Sequence, residues 1–486
     1  MTSQSLGGNK VIKNLSWRFA ERMGARGVEF IVSIILARLL DTELYGTIAL
    51  IMVFISIMQV FVDSGLGNAL IQKKDADNVD FSTVFYFNLT FCIVLYALLF
   101  LLSPIIASFY DDPLLTPVIR VLGLTILISG VKNVQQAYVS KHLLFKKFFF
   151  ATLGGTIFAA IAGIALAYYG YGIWALVAQQ VLNVAIDTII LWIVVKWRPQ
   201  RSFSLERLRG LLRYGWKLLV SSLLETGYNE LRQLIIGKMY TKSDLAYYDR
   251  ASQFPRFITS NINTSIDSVL FPAMSGIQDD RERVKNMTRR SIKVSTFIMA
   301  PLMAGLAMCS TQIVSILLTE KWMPIVPYLI IMCITYTFMP IHTANLNAIK
   351  ALGRSDLFLT LEIIKKCVGL TILLISMQFG VMAIAYSLLV SSVLGQIINS
   401  WPNKKLLNYS YIDQLKDIMP SIIIAWIMGG AVYFIKYIGL NDYFTLAIQI
   451  VLGALIYILL SKLCRIDSFE YSLNMVKDVI KNRGAK

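Results

Sequence analysis

The chain has 486 residues, of which 56% are hydrophobic and only 15% are charged, and its formal net charge is +17. Soluble domains usually carry about a quarter charged residues, so this composition excludes a soluble globular protein and predicts a polytopic membrane protein. Enrichment of Lys and Arg in cytoplasmic loops accounts for the positive charge, and we expect no nucleic-acid partner. With two histidines and five singly scattered cysteines, we expect no metal site, redox pair or bound cofactor.

Apolar segments of about twenty residues, separated by short polar turns, recur along the chain, and a bilayer core of about 30 Å requires that length. They predict an all-α fold of about fourteen transmembrane helices. The predicted spans are 16–40, 46–66, 82–106, 116–138, 149–169, 173–195, 214–237, 251–273, 291–317, 325–349, 358–378, 381–400, 417–436 and 443–463.

The loops between these spans alternate in charge. Basic loops such as 141–147, 196–217 and 281–293 lie on one side, and the intervening loops are short and mostly poor in Lys and Arg. The positive-inside rule therefore predicts that both termini are cytoplasmic. The loop from Lys238 to Arg250 is an exception on the other side, so we expect its basic residues to have another role.

The first span carries a stripe of charge. Arg18, Arg22, Arg26 and Glu29 fall within about a quarter of the helix circumference, at about 100° per residue. A charge that faces lipid costs several kcal/mol, so we expect the stripe to face a bundle interior or a watery cavity and to attract an anion. The alternative is a helix start at the membrane surface, with the arginines on lipid headgroups.

Three short motifs recur in order at an offset of about 200 residues, which predicts an internal repeat. The pairs are Ile35–Arg38 with Ile235–Lys238, Asp63–Leu70 with Asp267–Met274, and Gly172–Ala175 with Gly380–Ala383. Six spans in each copy give both copies the same orientation, and a cavity between them can open alternately to either side.

The repeat predicts the domain organisation. Residues 1–200 form an N-terminal six-helix lobe, 201–213 a cytoplasmic amphipathic linker, 214–403 a C-terminal six-helix lobe, 404–467 helices thirteen and fourteen, and 468–486 a cytoplasmic tail. The linker has an apolar and a basic face, which is typical of a helix that lies on anionic headgroups.

The second copy has its own polar groups inside apolar spans. Glu225 and Arg232 share one face of the seventh span, and the eighth span contains Arg250, Arg256 and Asp267. Charged residues in membrane spans mark either functional cavities or ion pairs that hold helices together. Both interpretations also apply to the charges of the sixth and eleventh spans, which are Asp187, Glu362, Lys365 and Lys366.

The segments Ile35–Gly46, Asp63–Gln72 and Asn345–Asp356 resemble those of the Wzx-type polysaccharide flippases, and the resemblance covers essentially the whole chain. These flippases belong to the polysaccharide transport branch of the multidrug/oligosaccharidyl-lipid/polysaccharide exporter superfamily, which includes the MATE fold. The colanic-acid-exporter-like group is most similar. The resemblance implies two six-helix lobes in a V shape around a central cavity.

The resemblance also implies a function. The protein would be no enzyme, but would move an undecaprenyl-diphosphate-linked oligosaccharide from the inner to the outer leaflet of the bacterial cytoplasmic membrane by alternating access. The implied partners are membrane lipids and the polysaccharide polymerase and export machinery that make lipopolysaccharide, capsule or exopolysaccharide. Relatives couple transport to H⁺ or Na⁺ gradients. The candidates here for ion coupling or for cavity ion pairs are Glu29, Glu225, Arg232 and Asp267.

A diphosphate requires several cationic donors, and arginine matches phosphate oxygens two at a time. We therefore expect a diphosphate cradle formed by Arg18, Arg22 and Arg26, with Arg250 and Arg256 opposite. The main alternative is a multidrug or cation antiporter of the same superfamily, for which acidic and aromatic cavity residues would be typical. A membrane polysaccharide polymerase is a weaker alternative, because it needs a sizeable periplasmic loop.

Overall fold

The computed structural model describes residues 24–474 apart from Ser64, Lys74 and Ser472, and this part of the chain is helical without strands. The helices are α1 (24–39), α2 (Thr42–Asp63), α3 (Leu66–Gln72), α4 (Asn78–Phe109), α5 (Leu115–Lys141), α6 (Phe145–Tyr168), α7 (Ile173–Val194), α8 (Leu205–Met239), α9 (Lys242–Ser275), α10 (Arg281–Met308), α11 (Ser310–Leu318), α12 (Ile325–Thr337), α13 (Met339–Ala351), α14 (Ser355–Ser376), α15 (Val381–Leu407), α16 (Tyr411–Tyr433) and α17 (Asp442–Leu463).

Ten helical segments in the described part of the chain are long and apolar enough to cross a membrane. Helices occupy all the predicted spans as far as they are described, but α8, α9 and α14 carry several charged residues and the first span begins before residue 24. The predicted all-α membrane fold is confirmed. The predicted number of fourteen spans is not confirmed. Helices that contain several charged residues lack the apolar composition by which a membrane span is recognised.

The chain forms two compact units, and the first runs up to Ala246. In it α4 packs against α5 and α6 against α7, while α8 lies beside α2. The segment predicted as a linker forms the first turns of α8, where Leu208 and Leu211 are buried in the core of this unit. Arg207 on its polar face donates to Asp77, and this hydrogen bond holds the pKa of Asp77 at about 2.

The second unit begins at Tyr247. Here α10 packs against α12 and α16, α14 pairs with α15, and α16 packs against α17. One core cluster of this unit includes Met274, Ile292, Ile341 and Tyr457, whose hydroxyl donates to the Phe297 carbonyl at 2.7 Å. Burial of these apolar side chains between helices holds the unit together.

Two glycines mark equivalent turns in the two units. Gly172 precedes α7 with a φ of 55°, and Gly380 precedes α15 with a φ of 101°. An L side chain is strained at such angles, so glycine lets the chain reverse there. The two glycines belong to one motif of the predicted repeat, and the pairs α6–α7 and α14–α15 that they join are the pairs that a repeated lobe would produce. The lobe boundaries stay a prediction.

Candidate substrate-binding site

Two members of the predicted cradle, Arg18 and Arg22, lie outside the described residues. Arg26 and Glu29 lie three residues apart on α1, and both side chains are exposed. Their charged groups are therefore not enclosed by the packing of the first unit. Their part in binding an anion stays a prediction.

Arg232 on α8, one of the predicted site residues, is strongly buried and only 5% exposed. Its guanidinium carbon lies 5.8 Å from the ring centroid of Tyr228, one turn earlier on the helix. Glu225 lies two turns before Arg232, and its side chain is exposed. Since residues seven apart share a helix face, Glu225, Tyr228 and Arg232 form one stripe along α8.

The Arg232 guanidinium has unsatisfied hydrogen-bonding capacity. Among the described residues, neither its Nε nor its Nη2 has a hydrogen-bond partner, although both atoms are buried. A guanidinium stays protonated at every physiological pH, and leaving a buried cationic donor unpaired is unfavourable. Nε–H and Nη2–H lie on one edge of the planar group, the edge that grips two oxygens of a phosphate or carboxylate. This edge can therefore bind an oxyanion.

The two predicted arginines of α9, Arg250 and Arg256, differ in burial and in the direction of their side chains. Arg250 is 4% exposed, donates to Gln253 Oε1 at 2.9 Å and lies with its guanidinium carbon 5.5 Å from the Trp322 ring centroid. Arg256 is exposed, and its Nε lies 3.5 Å from the Tyr336 hydroxyl. Six residues correspond to about 120° of separation on a helix, so these two guanidinium groups point in different directions.

Asp267, the last of the predicted residues, lies on the same helix and its side chain is exposed. Asp267 and Glu225 thus both keep their carboxyl groups outside the packed cores of their units. Their role in ion coupling stays a prediction. In the described part of the chain, no group of His, Cys, Asp and Glu is placed to hold a metal ion.

Two internal ion pairs lie within helices that the sequence predicts to span the membrane. Lys132 Nζ on α5 lies 2.5 Å from Asp187 Oδ2 on α7, and Lys365 Nζ lies 2.6 Å from Glu362 Oε1 on α14. The ion-pair interpretation of Asp187, Glu362 and Lys365 is confirmed. Lys132 was missed by sequence reasoning, although a lysine in the middle of an apolar span was the signal.

The model of the polysaccharide biosynthesis protein family matches residues 35–327. The lipopolysaccharide biosynthesis protein WzxC of Escherichia coli (strain K12) is 24% identical over 438 residues, which cover 86% of this chain and 88% of that protein. The teichuronic acid biosynthesis protein TuaB of Bacillus subtilis (strain 168) is 25% identical over 410 residues, which cover 83% and 85% of the two chains.

Two solved structures show the fold. The lipid II flippase MurJ in an inward closed conformation has a TM-score of 0.74 at 17% identity, over 94% of this chain and 99% of that chain. An inward-facing multidrug resistance transporter of the MATE family has a TM-score of 0.61 at 14% identity, over 78% and 94%. The fold is thus shared by flippases and drug transporters. Because the family model matches more than half of the residues, the chain belongs to the polysaccharide biosynthesis protein family.

Proposed function

We propose that this protein is a flippase that moves an undecaprenyl-diphosphate-linked oligosaccharide from the inner to the outer leaflet of the bacterial cytoplasmic membrane. Its membership of the polysaccharide biosynthesis protein family and the ten membrane-length apolar helices among its described residues support this function. So does its similarity to curated proteins of lipopolysaccharide and teichuronic acid biosynthesis. In our proposal both termini are cytoplasmic, and the substrate passes to a polysaccharide polymerase and export machinery on the other side.

The observation that carries the proposal is the buried, incompletely paired guanidinium of Arg232. This buried guanidinium would not favour the binding of a drug. It repels a cationic drug, and a neutral drug has no charge with which to pair with it. A diphosphate supplies the two oxygens that the Nε and Nη2 edge lacks. We therefore add Arg232 to the proposed cradle as the residue that grips the diphosphate head group.

The exposed arginines of the cradle have a second role in this proposal. Arg26 and Arg256 would attract the head group from the aqueous side, since long-range attraction to a charged ligand needs no buried partner. Arg250 would instead keep α9 in place, because its guanidinium already donates to Gln253 and lies over Trp322. Arg18 and Arg22 would add to the positive field at the start of the first span.

Complementation of a depleted strain tests this function. Depletion of the protein should cause an undecaprenyl-diphosphate-linked oligosaccharide to accumulate, identified by mass spectrometry of the lipid extract. Arg232→Ala should fail to restore surface polysaccharide and should reduce export at least tenfold. Arg232→Lys should restore part of the export, because lysine keeps the positive charge but lacks the two parallel N–H donors of the guanidinium.

The matched control is Arg209→Ala, which removes an exposed arginine from the same helix and should export normally. All three variants must reach the membrane at the level of the unaltered protein. Full export by Arg232→Ala would refute the role of Arg232. Depletion without a lipid-linked oligosaccharide, but with sensitivity to cationic drugs, would favour the antiporter instead.

A further inference from the structure

A pocket with basic walls lies at one end of the second unit, and the function proposed above does not use it. This basic pocket has a volume of about 360 Å³ and lies between the first turns of α10 and the segment that follows α17. Arg289, Arg290 and Lys293 line it from α10, and Asp467 and Tyr471 line it from the segment after α17. Three cationic side chains and one carboxylate therefore line the pocket.

Two of these cations have carboxylate partners. Arg289 donates to both carboxylate oxygens of Asp417 on α16, at 2.7 Å each, and Lys293 Nζ lies 2.6 Å from Asp467 Oδ2. Each pair joins α10 to another part of the unit. The two pairs therefore fix the walls of the pocket, and the aspartates neutralise most of the charge of Arg289 and Lys293.

Arg290 is the cation with donors left for a ligand. Its guanidinium carbon lies 3.4 Å from the ring centroid of Tyr471, and it has no ion-pair partner in the described part of the chain. A guanidinium that contacts a ring through its face keeps its N–H donors for other groups, because they lie in its own plane. Two such donors match two oxygens of a phosphate, so the pocket can bind a phosphate group.

The length of α10 places this pocket at the surface of the membrane. The helix has 28 residues and is about 42 Å long, whereas the bilayer core is about 30 Å thick. Arg290 lies about 27 Å from Met308, the last residue of the helix. A helix that ends at one edge of the core therefore brings Arg290 to the lipid head groups at the other edge.

An apolar groove of about 490 Å³ lies deeper in the same unit. It is lined by Pro301 and Gly305 of α10 and follows α17 from Leu446 to Ile458. That stretch of α17 is about 18 Å long, close to the 15 Å or so that one leaflet contributes to the bilayer core. The groove therefore has the length of one acyl chain and is too short for a polyprenyl chain.

One face of α10 connects the pocket to the groove. Val294 lines the pocket, and Pro301 and Gly305 line the groove, which begins about 10 Å deeper along the helix. Together with Ile298, these residues fall within about 60° of the helix circumference. Ile298 is 44% exposed, so the face between the two cavities is open to a lipid.

The charge of this region favours an anionic lipid over a zwitterionic one. Residues 281–293 contain six basic residues and one acidic residue, and basic pockets between membrane helices attract anionic head groups. A zwitterionic lipid would add a positive group, for which the pocket offers the carboxylate of Asp467. Lys293 already occupies that carboxylate.

We propose that the basic pocket and the apolar groove together bind one anionic glycerophospholipid. Its phosphate accepts from the guanidinium of Arg290, and one of its acyl chains runs past Val294 and Ile298 into the groove. Because α10 and the segment after α17 form opposite walls of the pocket, the bound head group joins them. The lipid thereby holds the segment after α17 against the start of α10.

Native mass spectrometry of the full-length protein in detergent measures this binding. The probes are a phosphatidylglycerol, a phosphatidylcholine with the same acyl chains, inorganic phosphate and undecaprenyl phosphate. We expect phosphatidylglycerol to bind about fivefold more tightly than phosphatidylcholine, as expected for one arginine at an anionic head group. Inorganic phosphate should compete poorly, since it has no acyl chain to bury.

A variant of the pocket tests the role of the guanidinium. Arg290→Ala should lower the affinity for phosphatidylglycerol about fivefold and remove the preference over phosphatidylcholine. The matched control is Arg281→Ala, which removes the same charge from the same helix but from an exposed residue outside the pocket. Its affinity for phosphatidylglycerol should stay close to that of the unaltered protein.

A variant of the groove tests the role of the acyl chain. A Cβ added at Gly305 would meet nothing within 4 Å, so Gly305→Leu places its side chain in the groove. This substitution should lower the affinity for both phospholipids and keep the preference between them. Gly430→Leu on α16 is the control, because Gly430 is equally open but does not line the groove.

Three results would overturn the proposal. The first is equal binding of the two phospholipids, or a preference that Arg290→Ala does not alter. The second is inorganic phosphate that competes as well as phosphatidylglycerol, which would show a site for a soluble anion. The third is tighter binding of undecaprenyl phosphate with the same dependence on Arg290, which would assign the site to the carrier lipid.

The two variants are independent of each other. If one of them fails to fold, the other still decides, because Arg290 and Gly305 lie in different cavities. Since no lipid-linked oligosaccharide enters the experiment, its outcome is independent of whether the protein is a flippase.

Discussion

Lys132 and Asp187 bring opposite charges together inside the first unit, and their side chains are 16% and 8% exposed. Moving both charges out of water costs several kcal/mol each, and only their mutual attraction and hydrogen bonds compensate for it. Gly155 on α6 allows this geometry, since a Cβ there would lie 2.8 Å from the Asp187 backbone nitrogen. At this scale, a small residue on one helix positions a charge on the next.

Removing one partner of this pair should therefore be much worse than removing both. We expect Asp187→Asn to lower the free energy of unfolding by about 3–5 kcal/mol, because Lys132 is left buried without its counter-ion. The double variant Lys132→Met with Asp187→Leu should recover most of this loss. Thermal unfolding of the purified protein in detergent measures both.

An exposed ion pair provides the control for this comparison. Arg354 and Asp356 lie 2.7 Å apart with side chains 44% and 62% exposed, so water screens their attraction and Asp356→Asn should lower the free energy of unfolding far less than Asp187→Asn. If the losses from Lys132→Met and Asp187→Leu simply add in the double variant, the two residues do not act as a pair.

At the scale of elements, the two loops that the repeat relates to each other meet in the first unit. Thr42 Oγ1, at the start of α2, lies 3.3 Å from Ser243 Oγ at the start of α9. Lys242 Nζ lies 2.7 Å from Asp112 Oδ2, and Lys238 Nζ lies 3.1 Å from Asp111 Oδ2. These ion pairs give a reason for the exception in the charge pattern of the loops: Lys238 and Lys242 pair with the two aspartates in the turn that follows α4.

The contact between these loops depends on Gly46. A Cβ added there would overlap the Lys242 carbonyl oxygen, a backbone atom that cannot rotate away. We expect Gly46→Ala to destabilise the protein by about 1–3 kcal/mol, the usual cost of forcing extra volume into a packed contact. The measurement is the shift of the unfolding midpoint in detergent.

Gly430→Ala on α16 is the matched control, because a Cβ there would meet nothing within 4 Å. It should stabilise its helix by about 0.5–1 kcal/mol, the usual difference between Ala and Gly in a helix. Equal effects of the two substitutions would show that the approach of Gly46 to Lys242 is not a tight contact in the folded protein.

At the scale of the whole molecule, the proposed cargo has a charged head group that must cross the membrane potential. About two negative charges that move outward across about 100 mV, inside negative, gain roughly 4–5 kcal/mol. Cationic groups that move with the head group would cancel part of this gain. The potential can therefore bias the direction of transport in a flippase of this kind.

We accordingly expect transport in proteoliposomes to respond to voltage. A fluorescent undecaprenyl-diphosphate oligosaccharide should move faster towards the positive side when a potassium diffusion potential of about 100 mV is applied with valinomycin. Proteoliposomes containing Arg232→Ala provide the background rate. Equal rates with and without the potential would show that no net negative charge moves in the slowest step.

The sequence by itself determined that this is a helical membrane protein, because a bilayer accepts only segments of a given length with few charges. It also located the paired turns at Gly172 and Gly380, where a positive φ favours glycine. It correctly placed charges in the membrane spans, such as Asp187 and Lys365. Each of these features depends on residues that are neighbours in the chain, so local chemistry is enough to predict them.

Only the tertiary structure decided which of these charges is buried and what it contacts. Arg232 and Arg256 both lie on long, charged helices, yet one is buried with unpaired donors and the other is exposed. Helical periodicity defines the faces of a helix, but the neighbouring helices determine which face is covered. His342 meets Asn399 across 57 positions of the chain, a contact that exists because α13 and α15 pack together.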